Sequence, residues 1–197
     1  SKVLAQWRDY GGNPNIRNQF QQTPLMIATR LGGPEAVKVL LDRGADPKLA
    51  DEHGWNALYF AIPAASAEKL NLLLKASAPV NHQDEGGDTP LHIAAEYKSQ
   101  SFTKRLLKAG ADPNLANAVG DTPLFTAAKL GAIEAGKALV AGGANVDHQG
   151  QYQRTALSVA VLAKQVDFAK WLWGHAKANP KIPDNQGVDS IQHAANQ

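Results

Sequence analysis

The chain has 197 residues, 44% hydrophobic and 19% charged, which excludes a disordered, highly charged polymer and leaves enough apolar material for a folded array. Its 20 lysines and arginines against 18 acids give a net charge of +2, too small a bias to argue for nucleic acid, and no apolar run approaches the ~18 residues that span a bilayer. There are no cysteines, which removes disulfides, thiol nucleophiles and thiolate metal sites together and leans the expectation toward an exported protein, periplasmic or secreted, with the cytoplasm as the alternative.

Residues 1–17 read as a lone helix with Val3, Leu4 and Trp7 on its inner face. After it, a helix start at Thr23-Pro24-Leu25 returns as Asn56-Ala57-Leu58, Thr89-Pro90-Leu91, Thr122-Pro123-Leu124, Thr155-Ala156-Leu157 and Asp189-Ser190-Ile191. The first four steps are equal (56 − 23, 89 − 56, 122 − 89, 155 − 122), and the last (189 − 155) is longer by a single position. A second marker keeps the same register, at Gly44-Ala45-Asp46-Pro47, Gly110-Ala111-Asp112-Pro113 and Gly143-Ala144-Asn145-Val146. Full repeats therefore run 18–50, 51–83, 84–116, 117–149 and 150–183, with half repeats at 1–17 and 184–197, all in one array over 1–197.

Each recurring letter has a physical task. Thr, Asn or Asp caps exposed helix N–H groups, and Pro at the first helical position gives up a donor that had no partner there. Leucines and the small pairs Ala94-Ala95 and Ala127-Ala128 face inward and allow close helix approach. Leu40-Leu41, Leu73-Leu74, Leu106-Leu107 and Leu139-Val140 mark a second helix, ended by a left-handed residue. The unit is helix, tight turn, helix, extended loop, and none can cover its apolar face without a neighbour.

The run Asp84-Glu85-Gly86-Gly87-Asp88-Thr89-Pro90-Leu91-His92-Ile93-Ala94-Ala95, followed by the Leu-Leu and Gly-Ala-Asp markers, resembles the ankyrin repeat, and the likeness covers essentially the whole chain. The resemblance implies an all-α solenoid of stacked helix-turn-helix units with extended, hairpin-like loops. It also implies a non-catalytic protein-binding module that uses a concave face and loop tips, a structural role for His92, and a monomer when free.

Sequence agrees on chemistry: there is no phosphate loop, no His-Glu-x-x-His and no Gly-x-Ser-x-Gly, and His53, His82, His92, His148, His175 and His193 lack ligand spacing. No enzyme activity, metal or cofactor is expected. Binding is assigned to positions the repeat leaves free: the aromatics Phe20, Trp55, Tyr59, Tyr97, Phe125 and Tyr152, with Glu52, His53, Glu85, Asp88, Glu96 and Asp121. The competing reading for Trp55 and Tyr59 is that they fold back onto the second repeat, whose helix start lacks Pro.

The acids suggest an inner face that repels nucleic acid and suits a basic or mixed protein patch, with much of the Lys and Arg on the outer second helices. Repeats two and three combine aromatics, acids and irregular backbone, since Pro63 shortens a helix and Ala65 and Lys98 replace the turn glycine kept at Gly32 and Gly131. The centre of the site is placed there. Among relatives of this kind a bacterial inhibitor or immunity protein that plugs a toxic enzyme ranks first. A host-targeting effector or scaffold, or the binding fragment of a larger enzyme, follows.

Overall fold

A computed structural model describes residues 12–196, so the helix expected from Val3, Leu4 and Trp7 lies outside the described residues. Two compact units divide the chain after Asp84, and each is treated by itself.

In the first unit the repeated start signals produce α1 (Pro24–Leu31), α2 (Pro34–Asp42), α3 (Ala57–Ala61) and α4 (Ala67–Lys75). First helix packs on first helix (α1 on α3) and second on second (α2 on α4). Leu25, Leu58, Val37, Leu40, Leu70 and Leu73 are buried between them. Each such leucine stabilises the stack by about 1.5–3 kcal/mol. The second unit repeats the scheme with α5 (Pro90–Glu96), α6 (Gln100–Lys108), α7 (Pro123–Leu130), α8 (Ile133–Ala141), α9 (Ala156–Leu162), α10 (Val166–Gly174) and α11 (Ser190–Ala195). Ala94, Ala95, Ala127 and Ala128 are fully buried, which lets α5, α7 and α9 lie side by side. Among the described residues there are 11 α-helices and no strand.

Thr23, Asn56, Thr155 and Asp189 accept from helix N–H groups at the starts, as their chemistry requires. Pro63 does shorten α3, to 5 residues. The turns between helices correct one expectation. Ala65, Lys98, Gly131 and Lys164 are left-handed, at φ 50°, 52°, 64° and 57°. Gly32, expected to share that turn, has φ −90°. Pro34 forces its predecessor Gly33 into extended backbone, so this turn takes a different path. A glycine is still required at 32, because a Cβ there would stand 2.8 Å from the Ala28 carbonyl oxygen.

Candidate functional site

Four loops are closed by the side chain that opens them. Asn18 Oδ1 accepts from Phe20 N and Gln22 N, Asp51 Oδ1 from His53 N and Trp55 N, and Asn117 Oδ1 from Val119 N and Asp121 N. Asp184 Oδ1 does the same for Gln186 N and Val188 N. A backbone bond across the tip, such as Asp51 N to Trp55 O at 3.0 Å, completes the hairpin-like shape. Asp51 and Asp184, like Asn18 and Asn117, are therefore turn residues.

The last residue of each tip reaches to the loop of the next repeat. Residues 22, 55, 88, 121 and 154 share one repeat position. Gln22 Nε2 donates to Asp51 Oδ2 at 3.4 Å, and Trp55 Nε1 donates to Asp84 Oδ2 at 2.9 Å. Asp88 Oδ1 accepts from Asn117 Nδ2, and Asp121 Oδ1 accepts from Gln151 N, both at 2.8 Å. Arg154 Nε lies 3.7 Å from Asp184 Oδ2. Gly150 stands where the other loops open with Asn or Asp, because a Cβ there would run into Asp121 Oδ1. Trp55, Asp88 and Asp121, assigned to partner contact from sequence, thus clamp one repeat to the next.

The third helical residue explains the unusual aromatics. In the third repeat His92 is 1% exposed; Thr89 N donates to its Nδ1 at 3.0 Å, which leaves the proton on Nε2 to donate to the Asp121 carbonyl at 3.0 Å. Tyr59 and Phe125 hold the same position in repeats two and four and cannot make that bridge. There, a histidine at one shared offset (82 − 59, 148 − 125) replaces it. His82 Nε2 bonds the Gly54 carbonyl at 2.8 Å and its ring meets Tyr59 edge-on at 6.2 Å. His148 Nε2 bonds the Gly120 carbonyl at 2.9 Å and meets Phe125 edge-on at 5.9 Å. Sequence reasoning missed His82 and His148 as members of the scaffold; the available signal was that they stand two whole repeats apart, each with an aromatic ring at the same offset before it.

The sequence-assigned rings accordingly separate into two groups. Tyr59 and Phe125 are 1% and 2% exposed, which corrects their assignment as free contact residues. Tyr59 hydroxyl donates to the His82 carbonyl at 2.7 Å, and Trp55, half-buried, stacks on Tyr59 at 6.0 Å and meets Phe60 edge-on at 5.7 Å. That is the competing reading of the Trp55–Tyr59 pair: both fold back onto the second repeat. Phe20, Tyr97 and Tyr152 behave otherwise, at 48%, 53% and 54% exposed. Tyr152 sits at φ 59°, followed by Gln153 at φ 55°, and Arg154 covers its ring at 5.0 Å. This left-handed pair turns the phenol outward at the loop tip.

Glu52 and His53 are exposed in the first unit, and Glu85 and Glu96 in the second. Lys98 is exposed next to Tyr97, so the charges there are mixed rather than uniformly negative.

One carboxylate differs electrostatically. Burial acts to raise the Asp184 carboxyl, but hydrogen bonds from Gln186 and Val188 N–H, the His193 hydrogen bond and the His193 charge outweigh it, and its pKa lies below the ordinary carboxylate value. His193 Nε2 is 2.9 Å from Asp184 Oδ2 and ties α11 to the loop before it. Among the described residues no cluster of His, Asp and Glu is arranged to hold a metal ion, and no helix is long and apolar enough to cross a membrane.

The family model for ankyrin repeats (3 copies) matches residues 2–84 and 91–184. No curated protein matches the chain. Ankyrin repeats indicate a protein–protein interaction module. With the capped starts, paired helices and interlocked loops recurring in register across the matched residues, the chain belongs to the ankyrin repeat family.

Proposed function

We propose that the chain binds a protein partner without catalysing a reaction on it, through side chains at the loop tips and first-helix ends. Phe20, Glu52 and His53 serve in the first unit, and Glu85, Glu96, Tyr97 and Tyr152 in the second. The observation that carries this reading is the partition of the rings. Trp55, Tyr59 and Phe125 are used inside their units, whereas Phe20, Tyr97 and Tyr152 stand about half exposed, with Arg154 over one face of the Tyr152 ring. Rigid aromatic side chains on loops already locked by hydrogen bonds lose little entropy on binding, which favours affinity.

Exposed Glu52, Glu85 and Glu96 beside Lys98 suit a basic or mixed-charge patch on the partner. Within this role we place the chain as an inhibitor or immunity protein that plugs an enzyme, ahead of a host-targeting effector or scaffold. Preformed tips that require no rearrangement fit a stoichiometric plug.

Affinity capture with the intact chain and with a Tyr97→Ala/Tyr152→Ala variant tests the binding reading. The partner is expected only with the intact chain, and equal recovery would move the site elsewhere. Adding one equivalent of chain to the recovered partner tests the narrower role. Suppression of an enzymatic activity supports the inhibitor, and full activity in the saturated complex rejects it.

A further inference from the structure

The position that clamps one repeat to the next does not close in the fifth. At residues 22, 55, 88 and 121 the side chain shares a hydrogen bond of 2.8 to 3.4 Å with the following loop. Arg154 stops short. Its Nε is 3.7 Å from Asp184 Oδ2, and that Nε–H has no hydrogen-bond partner among the described residues. The oxygen it would need is bonded by His193 Nε2 at 2.9 Å, while the N–H groups of Gln186 and Val188 take the other one. His193 has taken over the clamp from α11, and the guanidinium lies instead over the Tyr152 ring, 5.0 Å from its centroid.

The backbone at this tip is pinned in an unfavourable shape. Tyr152 and Gln153 are both left-handed, at φ 59° and 55°, a conformation disfavoured at residues other than glycine. The loops that open at Asp51, Asp84, Asn117 and Asp184 put Gly54, Gly87, Gly120 and Gly187 at the position of Gln153. Gln149 Nε2 donates to the Gln153 carbonyl at 2.8 Å and to the Pro183 carbonyl at 3.0 Å, and Asn185 N donates to the Tyr152 carbonyl at 2.9 Å. Strain held in place from several sides marks a tip where side-chain direction matters.

The charge of the surface follows from the two adjoining tips. Residues 150–154 read Gly-Gln-Tyr-Gln-Arg and residues 184–188 read Asp-Asn-Gln-Gly-Val, so Arg154 and Asp184 are their charged members. The Asp184 side chain is 0% exposed and that of Arg154 is 29% exposed, which leaves the cation as the charge these two tips present. The tip of the third repeat has the opposite sign, with Glu85 exposed.

We infer that Arg154 receives a carboxylate of the partner protein, which meets the guanidinium at its Nη groups while the Tyr152 phenol packs against the same segment. The assignment rests on the reading that Tyr152 touches a partner, and it adds a direction: the partner sets a basic or polar group at Glu85 and an acid at Arg154. A guanidinium released from the clamp gives up no scaffold hydrogen bond when it engages a carboxylate, and its planar fork can take both oxygens at once.

The test titrates the protein captured by the intact chain against the full chain and its R154K, R154Q and R154E variants, at low and at physiological salt. Kd is expected to rise about threefold for R154K, about tenfold for R154Q and about a hundredfold for R154E, and R154Q is expected to flatten the salt dependence. The thermal midpoint of R154Q should equal that of the parent chain, because no clamp bond is lost. R154Q binding at parental affinity, or R154E binding no worse than R154Q, would remove the carboxylate. A fall in the R154Q midpoint would return the arginine to the scaffold and overturn the assignment as well. Y152A separates these results from the underlying reading. Weakened binding by Y152A with none by R154Q overturns the carboxylate alone, whereas parental binding by Y152A, or no protein captured by the intact chain, overturns the loop-tip reading and the carboxylate with it.

Discussion

The second and third repeats solve the same problem with different chemistry. In the third, Pro90 starts the helix and His92 bridges its own cap to the Asp121 carbonyl, one side chain serving two ends. In the second, there is no Pro at the start and no His at that place. Tyr59 anchors to the His82 carbonyl, His82 holds the Gly54 carbonyl, and Trp55 stacks on Tyr59 and bonds Asp84. The difference teaches that a departure from the repeated letters is first a structural deficit, made good by a compensating residue within reach. Only what remains exposed after that compensation is available to a partner.

The comparison breaks most severely at the ring that has no substitute. Tyr59→Ala removes the floor beneath Trp55 and a buried aromatic, at a cost of about 3–5 kcal/mol. Urea unfolding should show the midpoint falling accordingly; a shift below about 1 kcal/mol would mean that Trp55 and His82 hold the second repeat without it.

His92→Ala leaves the Thr89 N–H and the Asp121 carbonyl without their shared partner and is expected to cost about 1–3 kcal/mol in the same assay. Tyr59→Phe keeps the ring and loses only the 2.7 Å bond to the His82 carbonyl. A loss of about 1 kcal/mol is expected, smaller than for His92→Ala, because one bond rather than a bridge is removed.

The Asp184 loop adds a pH arm to the comparison, since it too ties a loop to a helix through a histidine. Its folded pKa is lowered, so the unfolded chain takes up the proton first as pH falls. The stabilisation is complete above the ordinary carboxylate value of about 4 and is lost as pH drops below that, through the folded value. Thermal unfolding of Asp184→Asn should show a shallower loss of stability below about pH 4 than the parent chain. Identical acid limbs would remove the carboxylate from the account.

Much of the fold could be read directly from the residues. Helix starts, second helices and loop-opening acids each depend on contacts inside one repeat, and those contacts recur at a fixed period. The site was less legible because its decisive contacts run between repeats. A tryptophan at position 55 reads as a free loop-tip ring until Asp84, in the loop of the next repeat, is seen accepting its indole N–H. Likewise Phe125 reads as an anomaly until His148 is paired with it. Among the described residues, Phe20, Tyr97 and Tyr152 remain about half exposed, and their assignment to binding stands as a proposal.

That division of the rings is tested most directly by two triple variants carried through the same two assays. The outer set, Phe20→Ala/Tyr97→Ala/Tyr152→Ala, is expected to keep the unfolding midpoint within about 0.5 kcal/mol per site and to lose the captured partner. The inner set, Trp55→Leu/Tyr59→Leu/Phe125→Leu, is expected to lower the midpoint markedly. An outer variant that unfolds early, or that holds the partner as tightly as the parent chain, would contradict the account.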